Sequence, residues 1–287
     1  MDNLNYLFIV DSYKWALHKR AINLNKYLNL NAEIIHFNEI NKINLNKFNV
    51  VYSLNWPIYG YIQNKISNKK FKLLTTISSH EKNRPILIKN ILNKHDNFSV
   101  SNIHLLNEYL LHYKKVYYTP FGVDHNIYKQ YTDPNNYKNI FGFVGNISRV
   151  EKRFKVIENI INNIPNAKLI TATNLDLFND HQMIEFYNNI GTLICFSTSE
   201  GTPNPILEAA ACGRNIITTN VGNVSELFLN NLKNNIVDSE FSLKNNILNI
   251  INKNIDLSLS GNSLKENILN NWTWEKKSEN FKKFLSI

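Results

Sequence analysis

Ser199-Glu200-Gly201-Thr202-Pro203-Asn204-Pro205-Ile206-Leu207-Glu208-Ala209-Ala210-Ala211-Cys212-Gly213 reads as a tight loop opening a short, well-marked helix. Asn204 suits an N-cap, Pro205 suits the first helical position, where its missing N–H costs nothing, and Gly213 suits the residue just past the helix end. Apolar runs at Thr192 to Phe196 and Ile216 to Thr219 flank the stretch. The order is therefore strand, loop, helix, strand, with Glu200 closing the first strand. A helix start of this kind presents free N–H groups and the positive end of a dipole, which favours an anion such as a diphosphate by ~0.3–2 kcal/mol. Glu200 and Glu208 bracket the loop, and carboxylates so placed suit the hydroxyls of a ribose and of a sugar. On periodicity alone, a helix with two solvated glutamates fits equally well.

Working outward, the alternation of short apolar strands with helical spacing continues in both directions. Before the stretch, strands are expected at Ile140 to Val144 and Ala167 to Ala172, with helices near Lys152 to Asn163 and Asp180 to Asn189. Nearer the start come strands at Tyr6 to Val10, Ala32 to Phe37, Asn49 to Leu54, Phe71 to Ile77, Phe98 to Val100 and Val116 to Thr119. This pattern predicts an α/β fold of two Rossmann-like, doubly wound domains facing a cleft, and open parallel sheets bind ligands beyond the carboxyl ends of their strands. The expected division is a first domain at 1–124, a polar linker at 125–138 containing Asp133-Pro134, a second domain at 139–262 and a helical tail at 263–287 anchored by Trp272 and Trp274.

At 287 residues and 43% hydrophobic the chain can fill two cores. The opening apolar run, Tyr6 to Val10, is too short for a signal segment or a membrane span, so a cytoplasmic location is expected. Cys195 and Cys212 each sit in apolar surroundings and read as small buried side chains rather than a disulfide. Of 32 Lys+Arg and 23 Asp+Glu, 16 and 8 fall in residues 1–124, so nearly the whole +9 net charge belongs to the first part. Such an asymmetry points to an anionic lipid surface, a phosphorylated acceptor or a nucleic acid as its partner, or to nothing more than a lysine-rich solvated surface.

Glu200, seven residues and Glu208 match the E-x7-E motif of retaining GT-B glycosyltransferases, and the chain resembles glycosyltransferase family 4, also called group 1. Met183 to Asn188 before the motif and Thr218 to Glu226 after it look like the same family's flanking pattern. The resemblance implies that Glu208 holds the donor ribose, that Glu200 touches the transferred sugar, and that Gly201, Thr202, Pro203, Asn204, Pro205 and Ile206 receive sugar and phosphate through their backbone. It also implies a diphosphate-neutralising segment after the second domain's first strand, here Gly145 and Asn146 with Lys152 and Arg149 as the cations, Lys152 favoured. Asn146 stands where the family usually has Arg. In the first part the likeness covers Asp11 to Trp15, Pro120 to Asp124 and His80; it implies acceptor-side roles for Asp11 and Trp15 and a sugar-contacting role for His80.

The implied activity is transfer of a sugar, with retention, from a nucleotide-diphosphate sugar to a hydroxyl acceptor, without metal or other cofactor. The acceptor is left open among a lipid-linked saccharide, a surface glycan and modified DNA, with peripheral membrane contact through the basic first part. A glycoside hydrolase would need its carboxylates flanking a glycosidic bond rather than a helix start. A Rossmann dehydrogenase would need G-x-G-x-x-G at a domain start, which neither half supplies. A protein of the same fold that binds a nucleotide sugar without turnover stays open.

Overall fold

The computed structural model describes residues 4–13, 16–65, 70–79, 88, 90, 92, 98–173, 179–228, 235–253 and 255–285. They form two compact units, one of residues 1–122 with 274–287 and one of residues 123–273.

The first unit is built on β1 (Tyr6–Val10), β2 (Ala32–His36), β3 (Val50–Ser53), β4 (Lys72–Ile77), β5 (Phe98–Val100) and β6 (Tyr117–Tyr118), all parallel in the order β2-β1-β3-β4-β5-β6. All five residues of β1 are buried, as expected of a strand covered on both faces of a parallel sheet. The described crossover helices are α1 (Ala16–Leu28), α2 (Trp56–Lys65) and α3 (Ile103–Leu110). The Asn102 side chain starts α3 by accepting from the Leu105 N–H.

The second unit carries β7 (Ile140–Val144), β8 (Lys168–Ala172), β9 (Thr192–Cys195) and β10 (Asn215–Thr218), parallel in the order β10-β9-β7-β8. Its helices are α4 (Phe154–Asn162), α5 (Asp180–Asn188), α6 (Asn204–Ala211), the single turn α7 (Val224–Leu227), α8 (Glu240–Asn252) and α9 (Leu257–Asn271). Phe154, Ile157, Ile160 and Ile161 recur at helical spacing on α4 and bury one face against Phe141 and Phe143. Asn179 and Gln182 close a capping box at the start of α5. In both sheets the first strand lies between the second and the third, so each has a switch point, between β1 and β3 and between β7 and β9.

Two expectations from composition give way. Residues 125–138, read as a linker, pack into the second unit. Asn188 of α5 accepts from the backbone N–H groups of Tyr131 (2.7 Å) and Thr132 (3.3 Å) and donates to Lys129 O at 2.9 Å. Tyr128 is buried, and Pro134–Tyr137 forms a 3-10 turn pinned to the start of α9 by Asn135, which bonds Asp256 and the Leu257 N–H. Polarity here serves side-chain to backbone pairing rather than a solvated tether.

The tail at 263–287 is likewise not one element. α9 ends at Trp272, whose N–H still reaches Ile268 O, and Thr273 pairs in parallel with Val123. After that break, α10 (Trp274–Leu285) belongs to the first unit, with Ser278, Phe281 and Phe284 buried there and Trp274 anchored on Phe121.

What receives α10 is a buried cation. Arg20 of α1 is fully buried, its guanidinium 4.5 Å from the Phe121 ring, 4.9 Å from Phe281 and 5.7 Å from Tyr52. Its Nη2 donates at 3.2 Å to the hydroxyls of Thr76 and of Thr119. Those hydroxyls continue to Ser99 and Tyr52. Burial lowers the Arg20 pKa, while the Tyr52 hydroxyl partly opposes the shift. Among the described residues only Nη2 is hydrogen-bonded; Nε and Nη1 are buried without a hydrogen-bond partner, and aromatic faces are what the cation meets around them.

Phe281→Ala removes a side chain with no exposed surface and one face of the Arg20 sandwich. The expected cost is about 3–5 kcal/mol, read as a lowered midpoint in urea denaturation. A loss below about 1 kcal/mol would mean that α10 is not integral to the unit.

Candidate functional site

The switch point of the second unit gathers the decisive side chains. Val144 ends β7, and the next residue, Gly145, takes φ +145, a value side-chain-bearing residues rarely adopt. A Cβ there would stand 3.3 Å from Lys152 Cε, so the bare glycine lets the lysine stem lie along the loop. Lys152 closes a 3-10 turn at Val150–Lys152, and the Glu151 carbonyl of that turn accepts at 2.8 Å from the Thr198 N–H in the loop after β9. One backbone bond thus registers the two loops against each other.

Across this junction Lys152 Nζ meets Glu200 Oε1 at 2.6 Å, with the two side chains only 13% and 11% exposed. Ser197 Oγ donates to the same oxygen at 2.7 Å. Both bonds fall on Oε1. The recess bounded by Lys152, Cys195, Glu200 and Pro205 holds about 10 Å³, room for one water-sized group at most. Glu200 therefore sits in the loop, five residues beyond the end of β9, rather than at the strand's end.

The helix that follows is α6, and it begins differently from the sequence reading. Pro203 is the N-cap, with no side-chain capping bond, Asn204 is the first helical residue and Pro205 the second. The reason is the loop's own closure: the Asn204 N–H bonds Thr202 O at 2.9 Å and the Ile206 N–H bonds Pro203 O at 2.9 Å. Asn204 Oδ1 is consequently buried with no hydrogen-bond partner, a condition that costs about 1–3 kcal/mol. At the other end Gly213, at φ +69, and Arg214 return their N–H groups to Ala210 O and Ala209 O, the paired closure expected at that glycine.

Glu208, one turn into α6, is held by tyrosines. Tyr187 donates to Glu208 Oε2 at 2.7 Å, and Tyr128 also hydrogen-bonds Glu208, with a longer bond of 3.4 Å to Asp180. Burial first and the Glu208 charge second raise the pKa of both phenols, so both stay protonated donors. Beneath the loop lies Gly222: a Cβ there would come within 2.2 Å of Gly201 O and 3.1 Å of Pro203 Cδ. Thr219 adds a 2.5 Å bond to Ser197 O.

The structure does not bring every expected residue together. Arg149 is about half exposed and faces Glu151 at 3.8 Å, because it precedes the 3-10 turn that directs Lys152 inward. Asn146 is exposed and accepts from the Ser148 N–H at 2.8 Å, stabilising the bend after Gly145. The Ile206 side chain is in the core, leaving only its backbone near the loop. In the first unit Asp11 lies just beyond β1 at that sheet's switch point, accepting from Asn55 Nδ2 at 3.2 Å. His80 and Trp15 lie outside the described residues. Ser197, Tyr128, Tyr187 and Gly222 were not singled out from sequence. Tyr187 and Gly222 fall in the flanking segments already quoted, whereas Tyr128 was masked by the polar composition around it.

With this geometry in hand, the family profile of glycosyl transferases group 1 matches residues 124–268, just over half of the chain and nearly all of the second unit. The chain belongs to the group 1 glycosyl transferases. Among solved structures, this group 1 chain is similar to a sucrose-phosphate synthase from Thermosynechococcus elongatus (TM-score 0.79, 12% identity, 98% of each chain covered). HepE from Anabaena, in complex with UDP and glucose, aligns with TM-score 0.78 and 13% identity over 99% of this chain and 100% of that one. A glycosyltransferase from Rickettsia africae gives TM-score 0.68 and 16% identity over 99% of each. At these identities the likeness is one of fold, the pair of Rossmann-like domains of the GT-B class. A search of curated proteins finds no match. Among the described residues no three His, Cys, Asp or Glu side chains cluster in a way that could hold a metal, and no helix is long and apolar enough to cross a membrane.

Two substitutions probe this arrangement. Tyr187→Phe removes a hydrogen bond to a carboxylate and is expected to lower stability by about 1.5–3 kcal/mol, measured by denaturant unfolding. Gly222→Ala must displace the Gly201–Pro203 loop, and the expected sign is a lower Tm by calorimetry; an unchanged melting curve would show that the loop yields freely.

Proposed function

We propose that this chain is a retaining glycosyltransferase of family 4 that takes a nucleoside-diphosphate sugar as donor. The observation that carries the reading is the Lys152–Glu200 pair, set beside the first turn of α6 at the switch point. In this reading the diphosphate lies across the start of α6, where backbone N–H groups and the helix dipole favour it, and Lys152 offsets its charge. An ammonium has three donors, so Lys152 can hold Glu200 and a phosphate oxygen together. The second oxygen of Glu200 meets a hydroxyl of the transferred sugar, and Glu208, steadied by Tyr187, takes the ribose hydroxyls. The Asn204 carboxamide gains a partner when a hydroxyl or N–H enters beside it.

The bond from the anomeric carbon to the leaving phosphate breaks while a bond to the acceptor oxygen forms on the same face. The acceptor's proton passes to the departing phosphate. No protein nucleophile takes part, and the site's contribution is positioning and electrostatic stabilisation of the leaving diphosphate. Charge compensation by Lys152 and the helix start makes this donor site independent of metal. HepE, of like fold, is known in complex with UDP and glucose, which favours a uridine donor. Asp11 and Asn55 mark the acceptor side, and the basic first unit favours an anionic acceptor or surface on the cytoplasmic side.

Calorimetric titration with UDP, GDP, ADP and CMP, with and without magnesium, tests the proposal. One nucleoside diphosphate is expected to bind with or without metal, and Glu208→Gln is expected to weaken it by about 1.5–3 kcal/mol. Absence of binding by all four at millimolar concentration, or wild-type affinity in Glu208→Gln, would overturn the donor-site assignment.

A further inference from the structure

The first unit holds a pocket of about 330 Å³ away from its own switch point. Its walls are the 3-10 turns Phe37–Lys42 and Leu45–Lys47 and the helix α2. Asn46 lies ahead of β3 and accepts from the Lys70 N–H ahead of β4, so the pocket opens at the amino ends of these strands, opposite Asp11 and Asn55. The size falls at the lower end of small-molecule sites, roughly 300–1,000 Å³.

Its chemistry is one-sided. Its apolar lining is Ile40, Ile43, Leu45 and Ile62, together with Tyr61. On the rim, Asn44 Oδ1 accepts from the Asn46 N–H at 3.1 Å, and Asn41 Oδ1 accepts from Lys65 Nζ at 3.4 Å. Since N–H donors need an oxygen opposite them, these bonds engage the amide oxygens of Asn41 and Asn44. Lys65, stacked 4.8 Å over the Tyr61 ring and bonded to its hydroxyl, adds a cation. Among the described residues lining the pocket there is no carboxylate. The nearest in sequence, Glu39, is turned away to Tyr13 and the His36 N–H. Lys42, Lys47 and Lys70 are exposed close by in sequence.

An apolar lining with a cation and no carboxylate beside it complements a ring that has a hydrophobic face and an anionic substituent. We propose that this pocket is a non-catalytic carbohydrate site that takes an acidic sugar residue, its ring against the apolar lining and its carboxylate at Lys65, which Tyr61 holds in place. The choice of a saccharide among organic acids rests on the glycosyl-transferring chemistry of the family; the demand for negative charge rests on the pocket alone. Such a site would hold an acidic glycan on the first unit independently of the donor site in the second.

The test is calorimetric titration of the full chain with trigalacturonate, with its fully methyl-esterified form, and with inorganic phosphate. Trigalacturonate is expected to bind, and to lose tenfold or more in affinity on esterification, in Lys65→Gln and in Tyr61→Ala. Circular dichroism should show both variants folded, Lys65→Gln serving as the exposed substitution that leaves the core packing of Tyr61 in place, and UDP titration of Lys65→Gln should match wild type. No binding of trigalacturonate at millimolar concentration, equal binding of the ester, or wild-type affinity in Lys65→Gln overturns the proposal. Phosphate binding as tightly as trigalacturonate also overturns it, by reducing the pocket to a bare anion site. Failure of UDP to bind would speak against the donor-site reading and leave this result standing.

Discussion

β7 and β9 are hydrogen-bonded neighbours whose following segments leave in opposite directions, one toward β8 and the other toward β10. That parting is the constraint on which the rest of the second unit depends. It leaves the carboxyl ends of two strands uncovered and brings two loops, 145–153 and 196–203, face to face without either blocking the other. The Thr198 to Glu151 backbone bond fixes their register, and only then can a lysine from one loop meet a glutamate from the other. Charge placement in this unit is a product of strand order before it is a product of side-chain choice.

A pair as enclosed as Lys152 and Glu200 adds little net stability, because removing both charges from water offsets much of their attraction. Its value lies in readiness. Lys152 is held extended over Gly145 and Glu200 is tied at one oxygen by two donors, so a ligand meets fixed charges rather than flexible side chains that must be ordered at the moment of binding. The same principle governs Glu208, which two phenols hold from below. Both glutamates of the motif are thus carried by hydroxyl donors from outside it.

Much of this was legible from residue order. The β1, β7 and β9 runs, a helix opening near Pro205 and the glycine at 213 follow from periodicity and turn chemistry, since each depends on neighbours within a few positions. What composition could not reveal depends on partners far along the chain. The segment 125–138 is polar because Asn188, nearly sixty residues away, satisfies its backbone. Asn204 looks like a cap, yet the turn through Thr202 and Pro203 has already used the N–H that a cap position would leave outside the helix. The break between α9 and α10 comes at Trp272-Thr273, where Thr273 pairs with Val123 rather than continuing a helix. A linear reading has no means of weighing that competitor.

The Arg20 sandwich has a consequence for synthesis. Phe121 is on the nascent chain early, but Phe281, the other face of the guanidinium, emerges only after the entire second unit has been translated. Domains ordinarily fold as they leave the ribosome, amino-terminal first. Here the first unit is completed by a helix that follows the second in sequence, so Arg20 lacks its Phe281 face until α10 has been made. A chain cut short after residue 273 would keep the residues of the second unit and lose the Phe281 face of the Arg20 sandwich in the first.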